Sequence, residues 1–120
     1  MRDNYHKNLI VDKVTLFHLE NTGIEISMQL YFNAQNQLIF DGHDIGKSVE
    51  AAFGDSDYEY LHTIEPFEVN KFYPLFDCVE NDKTALLRAL KKHFSVNEAY
   101  TLFADFMKKN AIDFTSFVWC

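Results

Sequence analysis

The sequence predicts an α+β domain in which helices pack on one face of a mainly antiparallel β-sheet. Three observations predict this fold class. Apolar and polar residues alternate over residues 24–32, which is the pattern of a strand with one buried face. Apolar residues recur at helical spacing over residues 86–94 and 99–107. The chain has 120 residues, 48% of them hydrophobic and with only 4 Gly and 2 Pro, which fits a single folded domain over residues 1–120.

The first third of the chain is predicted to form a three-stranded meander. An apolar run at residues 14–19 gives the first strand, and Gly23 supplies the turn that leads to the alternating strand at 24–32. A polar turn at 33–36 precedes a short third strand at 37–40.

The motif Asp41-Gly42-His43-Asp44 is predicted to end that strand and to open a helix, with Asp41 or Asp44 as the N-cap. Gly54 is predicted to end this helix, and a period-two run at 58–64 gives the fourth strand. The apolar stripe of the helix is Ile45, Val49, Ala52 and Phe53.

The rest of the chain is predicted to be three helices and a closing strand. Pro66 is favoured at the start of the first helix, which Pro74 must kink or end. Asp82 can cap the second helix, and Ser95 and Glu98 have the spacing of a capping box for the third. The predicted inner residues of these two helices are Leu86, Leu87, Leu90 and Phe94, then Ala99, Leu102, Phe103, Phe106 and Met107.

Asn110 is predicted to end the third of these helices, and residues 114–119 form the last strand. The predicted order is therefore βββ-α-β-ααα-β. The polar N-terminus lacks the apolar segment of a secretory signal, and no stretch is long and apolar enough to span a membrane. Cys78 and Cys120 could form one disulfide at most. We therefore expect a cytoplasmic protein.

Charge is distributed unevenly along the chain. The net charge is −7, which argues against direct binding of nucleic acid or anionic membranes. Residues 41–82 hold eleven acidic residues against Lys47 and Lys71, a net charge of −9, whereas residues 83–109 carry +4. Such a polarised field favours encounter with a basic partner, although acidic residues also serve solubility and helix capping.

An enzymatic role has one candidate site. Asp41, His43 and Asp57 offer two carboxylates and an imidazole, which could bind a divalent metal or form a general base. The same residue types are common in turns, and no nucleophile motif or glycine-rich phosphate loop accompanies them. His62 has the setting of a packed histidine within a strand. We expect no catalytic residue, no metal and no cofactor, with a small metal- or ligand-dependent enzyme as the alternative.

Residues 37–60 contain the stretch QLIFDGHDIGKSVE followed by FGDSDYEY. This stretch resembles a group of small bacterial α+β proteins, some of which are immunity proteins of polymorphic toxin or contact-dependent growth inhibition systems. The resemblance implies an antidote that binds one cognate toxin domain, the C-terminal part of a large secreted or surface toxin, and blocks it without chemistry of its own. A basic nuclease is the toxin class that an acidic antidote fits best.

The predicted toxin contacts lie between residues 44 and 59, and Tyr58 or Tyr60 could be an aromatic anchor. Both tyrosines could equally belong to the core. A further alternative is an interaction module or homodimer that associates through exposed aromatic residues. The predicted contact residues are Asp44, Glu50, Asp55, Asp57, Tyr58 and Glu59.

Overall fold

The structure is a computed structural model that describes residues 13–46 and 56–119. Within these ranges the chain forms an antiparallel meander, a run of helices and a final strand. The strands are β1 (Lys13–Glu20), β2 (Ile24–Phe32), β3 (Leu38–Gly46), β4 (Ser56–Ile64) and β5 (Thr115–Trp119). The helices are α1 (Pro66–Val69), α2 (Phe72–Leu75), α3 (Lys83–Phe94) and α4 (Ala99–Lys109).

The five strands form one sheet in the order β1-β2-β3-β4-β5, and every neighbouring pair is antiparallel. Strands β3 and β4 pair along their full length, from Leu38 opposite Ile64 to Gly46 opposite Ser56. The helices carry the chain from β4 to β5, which then returns to pair with β4. The predicted α+β class is therefore confirmed.

One face of the sheet and the apolar sides of the helices share a single buried core. Because side chains alternate along a strand and cross-strand partners share a face, the pairing assigns each residue to one side. The helix face carries Met28, Leu30, Phe40 and Ile64, which are buried with Leu90 and Phe103 of the helices. The other face, called the open face below, carries Ser27, Gln29, Asp41, His43, Glu59, Leu61, Phe117 and Trp119.

The helices begin and end largely where sequence chemistry predicts. Pro66 occupies the first turn of α1, where its missing N–H costs nothing. The Asp82 carboxylate accepts a hydrogen bond from the Ala85 amide at 3.1 Å and so caps α3. All four predicted inner residues of α3 are buried, and Asn110 ends α4.

The interpretation of residues 41–44 as a strand end and helix cap is wrong. Strand β3 continues through Asp41, Gly42, His43 and Asp44 to Gly46, so neither aspartate caps a helix there. Ile45, predicted on the helical stripe, also lies in β3. The remaining stripe residues Val49, Ala52 and Phe53, with Gly54, lie outside the described residues.

Three details of the helical part also differ from prediction. The helix that starts at Pro66 ends at Val69, and Pro74 belongs to the separate short helix α2. There is no capping box, because the Ser95 hydroxyl donates to the Lys91 carbonyl and the Glu98 side chain makes no cap hydrogen bond. Leu102 is exposed, because α4 turns Ala99, Phe103 and Met107 towards the core instead. None of the described helices is long and apolar enough to cross a membrane.

Candidate functional site

Acidic residues gather where β3 ends and β4 begins. Residues 41–46 of β3 lie beside residues 56–60 of β4, and we call these two segments the acidic end. Pairing places Asp44 and Tyr58 on the helix face, whereas Asp57 and Glu59 project from the open face. The sheet therefore separates the predicted contact residues into two sets on opposite sides. The other two predicted contacts, Glu50 and Asp55, lie outside the described residues.

On the open face, His43 lies between two carboxylates of β4. Its Nε2 atom contacts Oδ1 of Asp57 and lies 3.7 Å from Oε2 of Glu59. The hydrogen bond to Asp57 is the main cause that raises the pKa of His43 above its ordinary value. The charges of Asp57 and Glu59 act in the same direction, and partial burial opposes them. His43 thus couples the two acidic side chains of β4 to β3.

The same three side chains have the composition of a divalent-cation site. One ligand atom from each of His43, Asp57 and Glu59 lies within 4.8 Å of the others. An imidazole nitrogen with two carboxylate oxygens suits zinc or a similar transition metal. Asp41, which the sequence grouped with His43 and Asp57, instead accepts a hydrogen bond from the Tyr31 hydroxyl at 3.1 Å. The cluster therefore contains two of the three residues predicted for a metal-dependent enzyme, and Glu59 takes the place of the third.

A second group with the same chemistry lies on the same side of the sheet. His18, Glu20 and Glu25 also bring one ligand atom each within 4.8 Å of the others, and His18 Nε2 lies 3.6 Å from Oε2 of Glu25. These residues sit at the turn that joins β1 to β2, which is at the same end of the sheet as Gly46. The acidic character of this end therefore extends from β4 across to β1.

On the helix face, Gly42 makes room for the ring of Tyr60. The two residues are direct cross-strand partners, and a Cβ atom on Gly42 would lie 1.9 Å from Cε2 of Tyr60. Because Gly42 has no side chain, the ring lies across β3 and its hydroxyl donates to Oδ1 of Asp44 at 2.6 Å. The glycine of the Asp41–Asp44 motif is therefore required for aromatic packing within the sheet and not for a turn.

The two tyrosines of the predicted site have different environments. Tyr60 is only 5% exposed and belongs to the core, whereas Tyr58 is 43% exposed. Burial and the Asp44 carboxylate raise the pKa of Tyr60, so its hydroxyl stays a donor over the physiological range. Of the two, Tyr58 is the one available to a partner.

His62, the other histidine considered as a functional group, is a core residue. Its ring stacks on Tyr100 with centroids 3.9 Å apart, and it is 1% exposed. Nε2 must donate to the Tyr100 carbonyl at 2.9 Å, so Nδ1 accepts from the Ser116 hydroxyl at 2.7 Å. Burial is the main cause that lowers the pKa of His62. Both ring nitrogens serve the fold, as the sequence setting predicted.

Sequence reasoning missed two aromatic residues beside the acidic cluster. Phe117 is 62% exposed and Trp119 is 39% exposed, with their ring centroids 4.8 Å apart. Trp119 pairs directly with Glu59, and Phe117 pairs with Leu61, so both aromatic side chains share the open face with the carboxylates. The predicted strand at residues 114–119 was the available signal, since successive side chains of a strand point to opposite faces and Phe117 and Trp119 therefore share one.

The basic helices do not neutralise these acidic residues. In the described part of the chain, Asp57 and Glu59 form ion pairs with His43, and none links them to the lysines of α3 or α4. Lys71 pairs instead with Glu68 at 2.7 Å, and Lys83 Nζ donates to the side chain of Asn36. The side chains of Asp57 and Glu59 are exposed to solvent, by 64% and 38%.

Comparison with known proteins found no match to a protein-family model, to a curated protein or to a solved structure. The resemblance of residues 37–60 to immunity proteins therefore stays a prediction.

Proposed function

We propose that this protein is an immunity protein that binds a basic toxin domain through the open face of its sheet and neutralises it. The supporting observation is that Glu59 pairs directly with Trp119, whose exposed ring lies beside that of Phe117, while Asp57 projects from the same face of β4 two residues before Glu59. Large exposed aromatic residues next to charged groups are typical of protein-binding surfaces and untypical of a purely solvated face.

The two kinds of side chain would have different roles in binding. Buried aromatic residues dominate the binding energy of most interfaces, which suits Phe117 and Trp119 as anchors. Carboxylates at the rim act mainly on the association rate, because they attract a basic partner before contact. Fast association is useful to an antidote, which must bind its toxin before the toxin finds a substrate.

The proposed mode of inhibition is occlusion. A nuclease needs a basic surface to hold the phosphates of its substrate. An acidic protein seated on that surface would exclude nucleic acid without any chemistry of its own. An antidote of this kind would act in the cytoplasm, where its toxin acts, and the resemblance of residues 37–60 supports this role.

The immunity function predicts that a toxin domain is encoded beside this protein, and the test is co-expression of the two. We expect cells to survive with the unchanged protein and to die with the double variant Asp57→Lys, Glu59→Lys. The matched control is Glu80→Lys, Asp105→Lys, which makes the same change of charge at exposed positions outside the sheet. The control should still protect. Cell death with the unchanged protein would refute the immunity function, and equal protection by both variants would refute the assigned surface.

The cluster of His43, Asp57 and Glu59 favours a second candidate, a small metal-dependent enzyme. The specific observation is the convergence of their three ligand atoms within 4.8 Å. Metal analysis of purified protein after incubation with Zn²⁺ tests it. One equivalent of zinc that is lost in His43→Ala and retained in His18→Ala would support this candidate, whereas protein without bound zinc would exclude it.

A further inference from the structure

A pocket of about 320 Å³ opens on the helix face of the acidic end, between the sheet and the start of α4. Three tyrosines and one carboxylate characterise it. The lining residues used below are Met28, Asp44, Tyr58, Tyr60, Asn97 and Tyr100. None of the described lining residues is basic.

The tyrosine rings lie against one another. The ring centroids of Tyr60 and Tyr100 are 4.9 Å apart in an edge-to-face arrangement, and those of Tyr58 and Tyr60 are 5.9 Å apart. Other core groups hold two of the three rings, since Tyr60 lies over Gly42 and Tyr100 stacks on His62. The aromatic wall is therefore formed before any ligand arrives.

Asp44 supplies a negative charge at this wall. Its Oδ1 atom accepts the hydrogen bond from Tyr60, and within the described residues no donor contacts Oδ2. A carboxylate oxygen beside aromatic faces is the combination that attracts an organic cation. The same combination is unsuited to phosphate or other anions, which the carboxylate repels.

We infer that this pocket receives an arginine side chain of the partner protein, which would then contact both faces of the sheet at the acidic end. A guanidinium group can stack on a tyrosine ring while its N–H groups donate to Oδ2 of Asp44. Asn97 offers a further side-chain acceptor, and Met28 lines the pocket with apolar surface for the methylene stem. The inference rests on the proposed function for the identity of the partner, and the pocket itself can be tested without the partner.

The experiment is an NMR titration of the full chain, observing the ring signals of Tyr58, Tyr60 and Tyr100. The probe is N-acetyl-arginine amide, and the control probe is N-acetyl-citrulline amide, which has nearly the same shape without the charge. We expect saturable shifts of the tyrosine signals with arginine, with a Kd of roughly 1–10 mM for one side chain, and none with citrulline. Equal shifts with both probes, or none with either, would overturn the inference.

Two substitutions on β3 make the test specific. Asp44→Asn keeps an acceptor for the Tyr60 hydroxyl but removes the charge, so we expect at least a tenfold weaker affinity. Asp41→Asn is the matched control, because Asp41 also accepts a tyrosine hydroxyl but lies on the open face. Unchanged affinity in Asp44→Asn would contradict the inference. Tyr58→Leu, at an exposed position, should weaken binding as well and tests the aromatic wall if Asp44→Asn fails to fold.

Titration with free L-arginine distinguishes a pocket for a partner's side chain from a pocket for a metabolite. A pocket for a protein side chain should bind the capped amide at least as well as the free amino acid. Binding of free arginine alone would overturn the assigned occupant. Protection against the toxin without arginine binding would refute the pocket only, whereas arginine binding without protection would refute the proposed function only.

Discussion

Replacing Gly42 by alanine should destabilise the protein, although alanine is normally the better residue inside a strand. The reason is the ring of Tyr60. A Cβ atom on Gly42 would lie 1.9 Å from Cε2 and 2.4 Å from both Cδ2 and Cζ of that ring. Ordinary contact begins at 3.4 Å, so the ring must move by about 1.5 Å. Such a movement also breaks the 2.6 Å hydrogen bond from Tyr60 to Asp44.

The expected cost follows from these two effects. Overpacking costs about 1–3 kcal/mol, and loss of a hydrogen bond to a charged group costs about 1.5–3 kcal/mol. The gain from replacing glycine within a strand is about 0.5–1 kcal/mol. We therefore expect Gly42→Ala to lower the free energy of unfolding by about 1.5–5.5 kcal/mol, measured by urea denaturation followed by circular dichroism.

A double-mutant cycle isolates the cause. In a Tyr60→Ala background the ring is absent, so Gly42→Ala should be neutral or slightly stabilising. Gly23→Ala is the control, since a Cβ there would meet only Oδ1 of Asn21 at 4.0 Å and should change stability by less than about 0.5 kcal/mol. The same cost of Gly42→Ala in both backgrounds would refute this account of the glycine.

Three further outcomes are expected. His62 should lower the free energy of unfolding as the pH drops below about 6.5, because the unfolded chain binds a proton that the buried ring, whose pKa is lowered, resists, whereas His43, whose pKa is raised, acts in the opposite direction. The difference between the unchanged protein and His62→Gln in urea titrations from pH 7 to 5 isolates the contribution of His62, and the same slope in both would contradict this role. Asp82→Ala should cost about 1 kcal/mol in thermal or urea unfolding, whereas Glu98→Ala should be nearly neutral, and equal losses would show that Asp82 is not an effective cap. Phe117→Thr should leave the free energy of unfolding within about 0.5 kcal/mol of that of the unchanged protein, since the side chain is exposed. The same substitution should weaken partner binding. A large loss of stability would show instead that Phe117 belongs to the core.

Much of the fold was predictable because local pattern and tertiary packing agree. The alternation of residues 24–32 predicted both ends of β2 correctly, since one face of that strand is buried and the other is not. The apolar stripe and the Asp82 cap likewise predicted α3. In β2 and α3, the local sequence pattern and the burial of each side chain in the fold favour the same secondary structure.

The acidic end was mispredicted because contacts between distant residues override local preference there. Asp and Gly favour turns, so Asp41, Gly42 and Asp44 suggested that the strand ends. Tyr31 and Tyr60 on the neighbouring strands hydrogen-bond to the two aspartates, and the ring of Tyr60 fills the space above Gly42. These partners lie 10 to 18 residues away in sequence, so no short window of sequence reveals them.

The candidate site was only partly predictable for a related reason. The charge pattern identified Asp57 and Glu59, but the assignment of each residue to a face depends on the register between β3, β4 and β5. That register separates Asp44 from Asp57 and brings Trp119 beside Glu59. A shift of one residue would exchange the two faces, so the surface is defined only when the pairing is known.

The most direct test of partner binding at the acidic end is the NMR spectrum of the isotope-labelled protein in complex with the unlabelled toxin domain. We expect the largest backbone and side-chain shifts at residues 41–46, 56–60 and 115–119. Shifts confined to the exposed sides of α3 and α4, with the sheet signals unchanged, would contradict this expectation.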